Sequence, residues 1–162
     1  GSDLLRVPSL HADGGRHSIA FTVTLLQDAD GAVAGIAAVV RDADTLSLTG
    51  IARAIEDLST RARTKKLSPD DLRGGTFTVS NPGRHGNLYG FAIINQPQVG
   101  ILRMGEMVKR PVVRAAGGED AIVIRPMMYV ALSYDHRAVD GAPANGFLHR
   151  IRELLEAADF DL

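Results

Sequence analysis

The sequence predicts an α+β protein in which a mixed β-sheet is covered on one face by two helices. Short segments that alternate apolar and polar residues, rich in β-branched side chains, recur along the 162 residues and are typical of strands. Two segments instead carry apolar residues at steps of three and four, the spacing of an amphipathic helix. With 45% hydrophobic residues, a chain of this length is expected to form one structural domain.

The N-terminal part is predicted to consist of strands. Residues 18–26 alternate apolar and polar side chains, and residues 33–40 continue in the same way after a turn rich in Asp and Gly at 28–31. Two such runs around a turn are typical of a β-hairpin. A shorter apolar stretch at residues 4–10, which ends near Asp13, predicts a third strand.

A helix is predicted after residue 44, where the period of the apolar residues changes. Ser47 is its candidate N-cap, because the hydroxyl can accept a hydrogen bond from an open amide of the first turn. Basic residues collect at the other end, where the helix dipole favours positive charge, and we interpret them as a solvated helix end. The apolar stripe consists of Leu48, Ile51, Ala52, Ile55, Leu58 and Ala62, and the basic end of Arg61, Arg63, Lys65 and Lys66.

The second half of the chain is predicted to add strands at residues 74–80, 91–94 and 99–104. Residues 112–114 and 121–124 lie on either side of a Gly-Gly pair and predict a second hairpin. These segments share the alternation of the N-terminal strands, so all of them are expected to join one β-rich domain.

The last two elements are predicted to be a buried strand and a helix. Residues 127–132 form a nearly continuous apolar run, which indicates a strand buried on both faces. The helix is expected to open near Pro143. Its apolar stripe consists of Phe147, Leu148, Ile151, Leu154 and Leu155.

Composition excludes several classes of function. Lys and Arg number 18 against 19 Asp and Glu, so the net charge of -1 gives no electrostatic case for binding nucleic acid or an anionic membrane. The absence of cysteine excludes disulfides, thiolate metal sites and a cysteine nucleophile. No apolar run has the length of a membrane span, and we expect a cytoplasmic protein. No metal site is expected either, because His136 and Asp140 would supply only two ligands.

The segment SYDHRAVDG, residues 133–141, contains the histidine with the most promising neighbours. A histidine side chain ordinarily titrates near neutral pH, so a residue of this type can take a proton from a thiol or hydroxyl and return it. Asp140, four residues later, can hold the imidazole. The spacing alone favours a plainer interpretation, in which Asp140 caps the final helix and His136 is a turn residue satisfied by the backbone.

Ser80, at the end of the segment GGTFTVS, is a second candidate. A hydroxyl at a strand end can donate a hydrogen bond to a developing oxyanion, and it can equally cap a turn. No base is adjacent in the sequence, so Ser80 is not expected to be a nucleophile. Ser80 and His136 are therefore candidates for an oxyanion donor and a general base.

Three blocks in order carry a resemblance to a known family. They are RDADTLSLTGIARAIEDLSTRARTKKLSPDDLRGGTFTVSNPG, AIINQPQVGILRMG, and RPMMYVALSYDHRAVDGAPANGFL. With them, residues 41–155 closely resemble the C-terminal half of the catalytic domain of dihydrolipoamide acyltransferases, the core component of 2-oxo acid dehydrogenase complexes. The resemblance implies a fold like that of chloramphenicol acetyltransferase and an active site at a trimer interface.

The resemblance also implies roles for the candidate residues. His136 corresponds to the general base that deprotonates the thiol of coenzyme A or of dihydrolipoamide, which are substrates here. Ser80 corresponds to the serine that hydrogen-bonds the tetrahedral oxyanion and comes from the neighbouring subunit. Asp135 and Asp140, with Arg137, correspond to residues that hold the loop and the imidazole tautomer. The implied partners are further copies in a homotrimer, a lipoyl domain and the other subunits of the complex.

The sequence also departs from this family. Residues 1–2 are interpreted as a tag remnant, and residues 3–40 resemble the last strands of a PAS sensor domain joined to the acyltransferase part, 41–162. We therefore expect an N-terminally truncated or hybrid chain, with the PAS-like hairpin packed on the same sheet. Three local departures near Ser80 affect the expected shape of the channel. They are Pro82 and His85, where the family usually has apolar residues, and Gln96, where proline is usual.

Three functions are consistent with these observations. The first is acyl transfer between dihydrolipoamide and coenzyme A with His136 as general base. The second is a catalytically inactive, truncated or recombined domain that acts only as a folded oligomeric scaffold. The third is a sensor module, which the shortness of the PAS-like part disfavours because it cannot enclose a ligand cavity.

Overall fold

The computed structural model describes residues 19–24, 35–81 and 87–160. The described part contains seven strands, two α-helices and two short 3-10 helices at Ala43–Thr45 and Pro69–Leu72. The strands are β1 Ile19–Thr24, β2 Gly35–Val40, β3 Phe77–Ser80, β4 Gly100–Met104, β5 Val108–Ala116, β6 Glu119–Met127 and β7 Val130–Tyr134. The helices are α1 Leu48–Arg63 and α2 Gly141–Ala157.

Five of the strands form one mixed sheet in the order β2-β1-β3-β4-β7. The pairs β1–β3 and β3–β4 are parallel, whereas β1–β2 and β4–β7 are antiparallel. The hairpin predicted from residues 18–26 and 33–40 is thus confirmed in its described strands. The second predicted hairpin is also confirmed, as the separate two-stranded sheet β5–β6 around Gly117 and Gly118.

Both helices cover the same face of the five-stranded sheet, as predicted. Val40 and Phe77 both pair with Ile19, so they lie on one face. Val40 packs in a buried cluster with Leu58 of α1, and the ring of Phe147 in α2 packs edge-on against Phe77 with 5.7 Å between ring centroids. The opposite face carries Thr78 and Ser80, both buried and both polar.

Helix α1 begins and ends as the sequence predicts. The Ser47 hydroxyl accepts a hydrogen bond from the Gly50 amide at 3.1 Å, which confirms the N-cap. At the other end Arg61 is more engaged than a solvated basic residue, because its guanidinium donates two hydrogen bonds to the Asp71 carboxylate at 2.8 and 2.9 Å. Arg61, together with the amide and hydroxyl of Ser68, lowers the pKa of Asp71 to about 2. This ion pair fixes the segment that leads into β3.

Two predictions about strands are wrong. Residues 91–94 form no strand, and Phe91 and Ile93 are 82% and 94% exposed. Alternation alone does not make a strand, which also needs a neighbour with free backbone groups, and β4 is already paired on both sides. Strand β7 exists, but none of its five residues is fully buried, because β7 lies at the edge of the sheet.

Several expectations, among them the tag remnant at residues 1–2 and the turn at 28–31, fall on residues that the structure does not describe. The others are the strand at residues 4–10 and the two family departures Pro82 and His85. Within the described ranges, no helix is long and apolar enough to span a membrane.

Candidate active site

His136 lies at the tip of a turn that backbone hydrogen bonds hold on both sides. The Asp135 amide donates to the Val99 carbonyl oxygen at 2.9 Å, and the Asp135 carbonyl oxygen accepts from the amides of Ala138 and Val139. The Val139 side chain is buried under the turn. The turn is therefore fixed in position, while the His136 side chain is 72% exposed.

Of the residues that the structure describes, two approach the imidazole of His136 with their side chains. The ring of Tyr134 lies with its centroid 5.5 Å from that of His136, at an angle of 40°. The Asp140 Oδ1 atom lies 3.9 Å from His136 Nδ1, which is within ion-pair range and too long for a hydrogen bond. Asp140 occupies the N-cap position of α2, yet its carboxylate makes no capping hydrogen bond. The carboxylate is therefore placed to face the imidazole.

Asp135 and Arg137 bind each other rather than His136. The Arg137 side chain donates to the Asp135 carboxylate through Nη2 at 2.6 Å and through Nε at 3.0 Å. The Arg137 amide donates to the same carboxylate at 3.0 Å. These bonds lower the pKa of Asp135 to about 2 and raise that of Arg137. The pair thus bridges across His136 and stays charged at neutral pH.

Ser80 lies at the other end of the sheet. It pairs with Arg103 of β4, and Arg103 pairs with Ala131 of β7. Tyr134, three residues beyond Ala131, is where β7 ends. Three residues along a strand and two strands across are each about 10 Å, so the Cα atoms of Ser80 and Tyr134 are about 14 Å apart. One chain brings His136 and Asp140 together and leaves Ser80 away from them.

Two neighbours of the candidate residues were not singled out from the sequence. Tyr134 precedes the DHR segment. It is two residues before His136, and because side chains two apart in a strand lie on the same face, this spacing could have indicated that the two rings are neighbours. Arg103 interrupts an apolar strand, which is a signal in itself, but only the register reveals that it is the partner of Ser80. Among the described residues, no group of three or more His, Asp or Glu side chains could hold a metal ion.

Comparison with solved structures places the fold among the catalytic cores of lipoamide-dependent acyltransferases. A probable dihydrolipoamide acetyltransferase from Listeria monocytogenes is 37% identical with a TM-score of 0.76, over 87% of this chain and 56% of that one. The cubic core of the pyruvate dehydrogenase multienzyme complex is 34% identical with a TM-score of 0.71, over 86% of this chain and 56% of that one.

A third structure bears on the site. Dihydrolipoamide acetyltransferase from Azotobacter vinelandii is 36% identical with a TM-score of 0.73, over 86% of this chain and 53% of that one. In that enzyme a serine, a histidine and an asparagine were studied for their roles in catalysis, and the asparagine lies four residues after the histidine. His136 and Asp140 have the same spacing.

Residues 32–161 match the family model of the 2-oxoacid dehydrogenases acyltransferase catalytic domain, and the chain belongs to this family. The acetyltransferase component of pyruvate dehydrogenase from Corynebacterium glutamicum is 50% identical over 76% of this chain. The succinyltransferase component of the 2-oxoglutarate dehydrogenase complex from Bacillus subtilis is 52% identical over 73% of it. The chain spans only 18% and 28% of the lengths of these two relatives.

Proposed function

We propose that this chain catalyses transfer of an acyl group between dihydrolipoamide and coenzyme A, with His136 as the general base. The observation that carries the proposal is the position of His136 in this member of the family. The residue lies on a fixed turn, its imidazole is exposed, and the Asp140 carboxylate lies beside Nδ1. A thiol with a pKa of about 8.5 is mostly protonated at neutral pH, so a base that removes its proton assists its attack.

In the proposed steps, one proton moves from the incoming thiol to His136 and then to the leaving thiolate. Asp140 near Nδ1 favours the tautomer with the proton on that nitrogen, which leaves Nε2 free to accept. Nε2 takes the proton of the incoming thiol while its sulfur attacks the thioester carbonyl carbon. The oxyanion that forms accepts a hydrogen bond from Ser80. Collapse of this intermediate releases the other sulfur as a thiolate, which takes the proton back from the imidazolium.

The proposal requires Ser80 to come from a neighbouring copy. Ser80 and His136 lie at opposite ends of one sheet, so a single chain offers the base without the oxyanion donor. We therefore propose a homotrimer in which each site lies between two copies. Assembly with a lipoyl domain and the other complex subunits is part of the proposal, supported by the similarity to the core of such a complex. A cytoplasmic location is also proposed, because both thiol substrates stay reduced there.

We also propose that the chain is a hybrid, with a PAS-like segment at residues 3–40 joined to the acyltransferase part at 41–162. The β1–β2 hairpin of that segment pairs with β3 in the same sheet, which fits one structural domain. The family match begins at residue 32, so a join at 41–44 requires that β2 be compatible with both families.

The proposal is tested by the rate of acyl transfer from acetyl- and succinyl-coenzyme A to dihydrolipoamide. His136→Ala is expected to lower kcat by a factor of about 10²–10⁴, the range for loss of a general base. His149→Ala is the matched control. That histidine is exposed on α2 beside Glu153, 3.3 Å away, and its loss is expected to leave the rate unchanged. Equal rates for wild type and His136→Ala would instead favour the catalytically inactive scaffold.

A further inference from the structure

The residue that pairs with Ser80 on the neighbouring strand is a positively charged arginine, Arg103. Ser80 of β3 pairs with Arg103 of β4 in the parallel register. Paired residues on neighbouring strands point to the same face and their side chains start about 5 Å apart. This face of the sheet is opposite to the one that α1 and α2 cover.

One nitrogen of the Arg103 guanidinium is buried, and no described carboxylate neutralises its charge. Its Nη2 donates to the Asn87 side-chain oxygen at 2.8 Å, and its buried Nε has no acceptor among the described residues. A Cβ atom at Gly90 would lie 3.0 Å from this Nε, so the chain at Gly90 covers the guanidinium directly. No described carboxylate forms an ion pair with Arg103, although Asp57, Asp71 and Asp135 each pair with an arginine.

We propose that Arg103 is a positioning residue that assists Ser80. The positive charge of Arg103 favours the oxyanion that forms beside the Ser80 hydroxyl, and the guanidinium does not touch the reacting atoms. The inference rests on the proposed function, in which negative charge develops on the carbonyl oxygen next to Ser80. A positive charge one strand away is close enough to favour that oxyanion, and the nitrogen held under Gly90 is screened less than it would be in water. The charge is already in place before the reaction, so no reorganisation is needed.

A competing explanation is that Arg103 only fastens the chain at 87–90 through Asn87. The two explanations differ in which loss lowers activity, that of the Arg103 charge or that of the hydrogen bond to Asn87. If the charge acts, the Asn87 hydrogen bond is dispensable and a lysine can replace the arginine. If the fastening acts, loss of the Asn87 side chain is as harmful as loss of the guanidinium.

The test compares kcat and KM for acyl transfer among Arg103→Gln, Arg103→Lys and Asn87→Ala, with circular dichroism and light scattering on each variant. Arg103→Gln is expected to lower kcat about tenfold with KM within about twofold, because the charge is felt mainly in the transition state. Arg103→Lys is expected to keep at least about half of kcat, since it keeps the charge. Asn87→Ala is expected to match the wild type.

Several results would overturn the inference. They are a wild-type kcat in Arg103→Gln, no rescue by Arg103→Lys, or a loss in Asn87→Ala as large as in Arg103→Gln. If Arg103→Gln does not fold, the Arg103→Lys enzyme decides, because its introduced amine loses a proton near pH 10 while arginine does not. Its kcat relative to wild type should fall between pH 9 and 11, and a constant ratio would contradict the inference.

Failure of the proposed function is separable from failure of this inference. A wild-type protein without transfer activity overturns both. Transfer that is lost in His136→Ala and unchanged in Arg103→Gln overturns only the role of Arg103.

Discussion

At the scale of single residues, His136 owes its position to neighbours that do not react. Asp135 supplies the backbone bonds that hold the turn, and its carboxylate is held by Arg137 on the far side of the histidine. Within the described part of the chain, the imidazole makes the long contact to Asp140 and the ring contact to Tyr134 and no other. The turn therefore positions the proposed base, and the base remains accessible to a thiol.

Arg137→Gln is expected to loosen this turn and to raise the pKa of Asp135 from about 2 toward its ordinary 3.8. A carboxyl whose folded-state pKa is depressed contributes stability that is fully present above about pH 4 and is lost as pH falls toward 2. The variant should therefore be less stable than wild type at neutral pH, with the difference shrinking between pH 4 and 2. Carboxyl carbon NMR titration measures the pKa, and urea unfolding at several pH values measures the stability.

The conservative variant Arg137→Lys is the control, because it keeps a charge and loses the two-pronged contact. It should give a pKa between those of wild type and Arg137→Gln. An unchanged Asp135 pKa in Arg137→Gln would contradict the assigned cause of the shift.

At the scale of elements, local sequence signals predicted those features whose causes are local. Ser47 caps α1 because a hydroxyl at that position meets an open amide, and the β1–β2 strands form because their alternation fits a sheet. The strand predicted at 91–94 fails because a strand depends on a partner that its own residues cannot reveal. The same holds for Arg103, whose nearness to Ser80 follows from a register across two strands.

Ser47→Ala is expected to lower the free energy of unfolding by about 1 kcal/mol, because one amide of the first turn of α1 loses its acceptor. Urea unfolding followed by far-ultraviolet circular dichroism measures the change, and the dependence of the unfolding free energy on urea concentration should be the same in both proteins. Ser47→Asp is the control, since its carboxylate can accept the same hydrogen bond and should retain most of the stability. Loss of equal size in both variants would show that the cap bond is not the cause.

At the scale of the whole molecule, the sheet separates the two groups that the proposed reaction needs. His136 follows the end of β7, and Ser80 ends β3, two strands away and at the opposite end along the strand direction. The sequence suggested both residues as candidates and could not give this separation, since the separation depends on β4 running parallel to β3 and antiparallel to β7. The arrangement has meaning for catalysis only if copies of the chain assemble so that these two ends meet.

Complementation between two inactive variants tests that requirement. In a trimer with shared sites, a Ser80→Ala chain still supplies His136 and a His136→Ala chain still supplies Ser80. Random co-assembly at equal amounts should therefore restore intact pairs at about one quarter of the sites, and activity should rise to about that fraction of wild type. Each variant alone should stay inactive while remaining trimeric by light scattering. If both groups acted within one chain, every site of the mixture would carry a defect, and no activity would return however completely the chains were mixed.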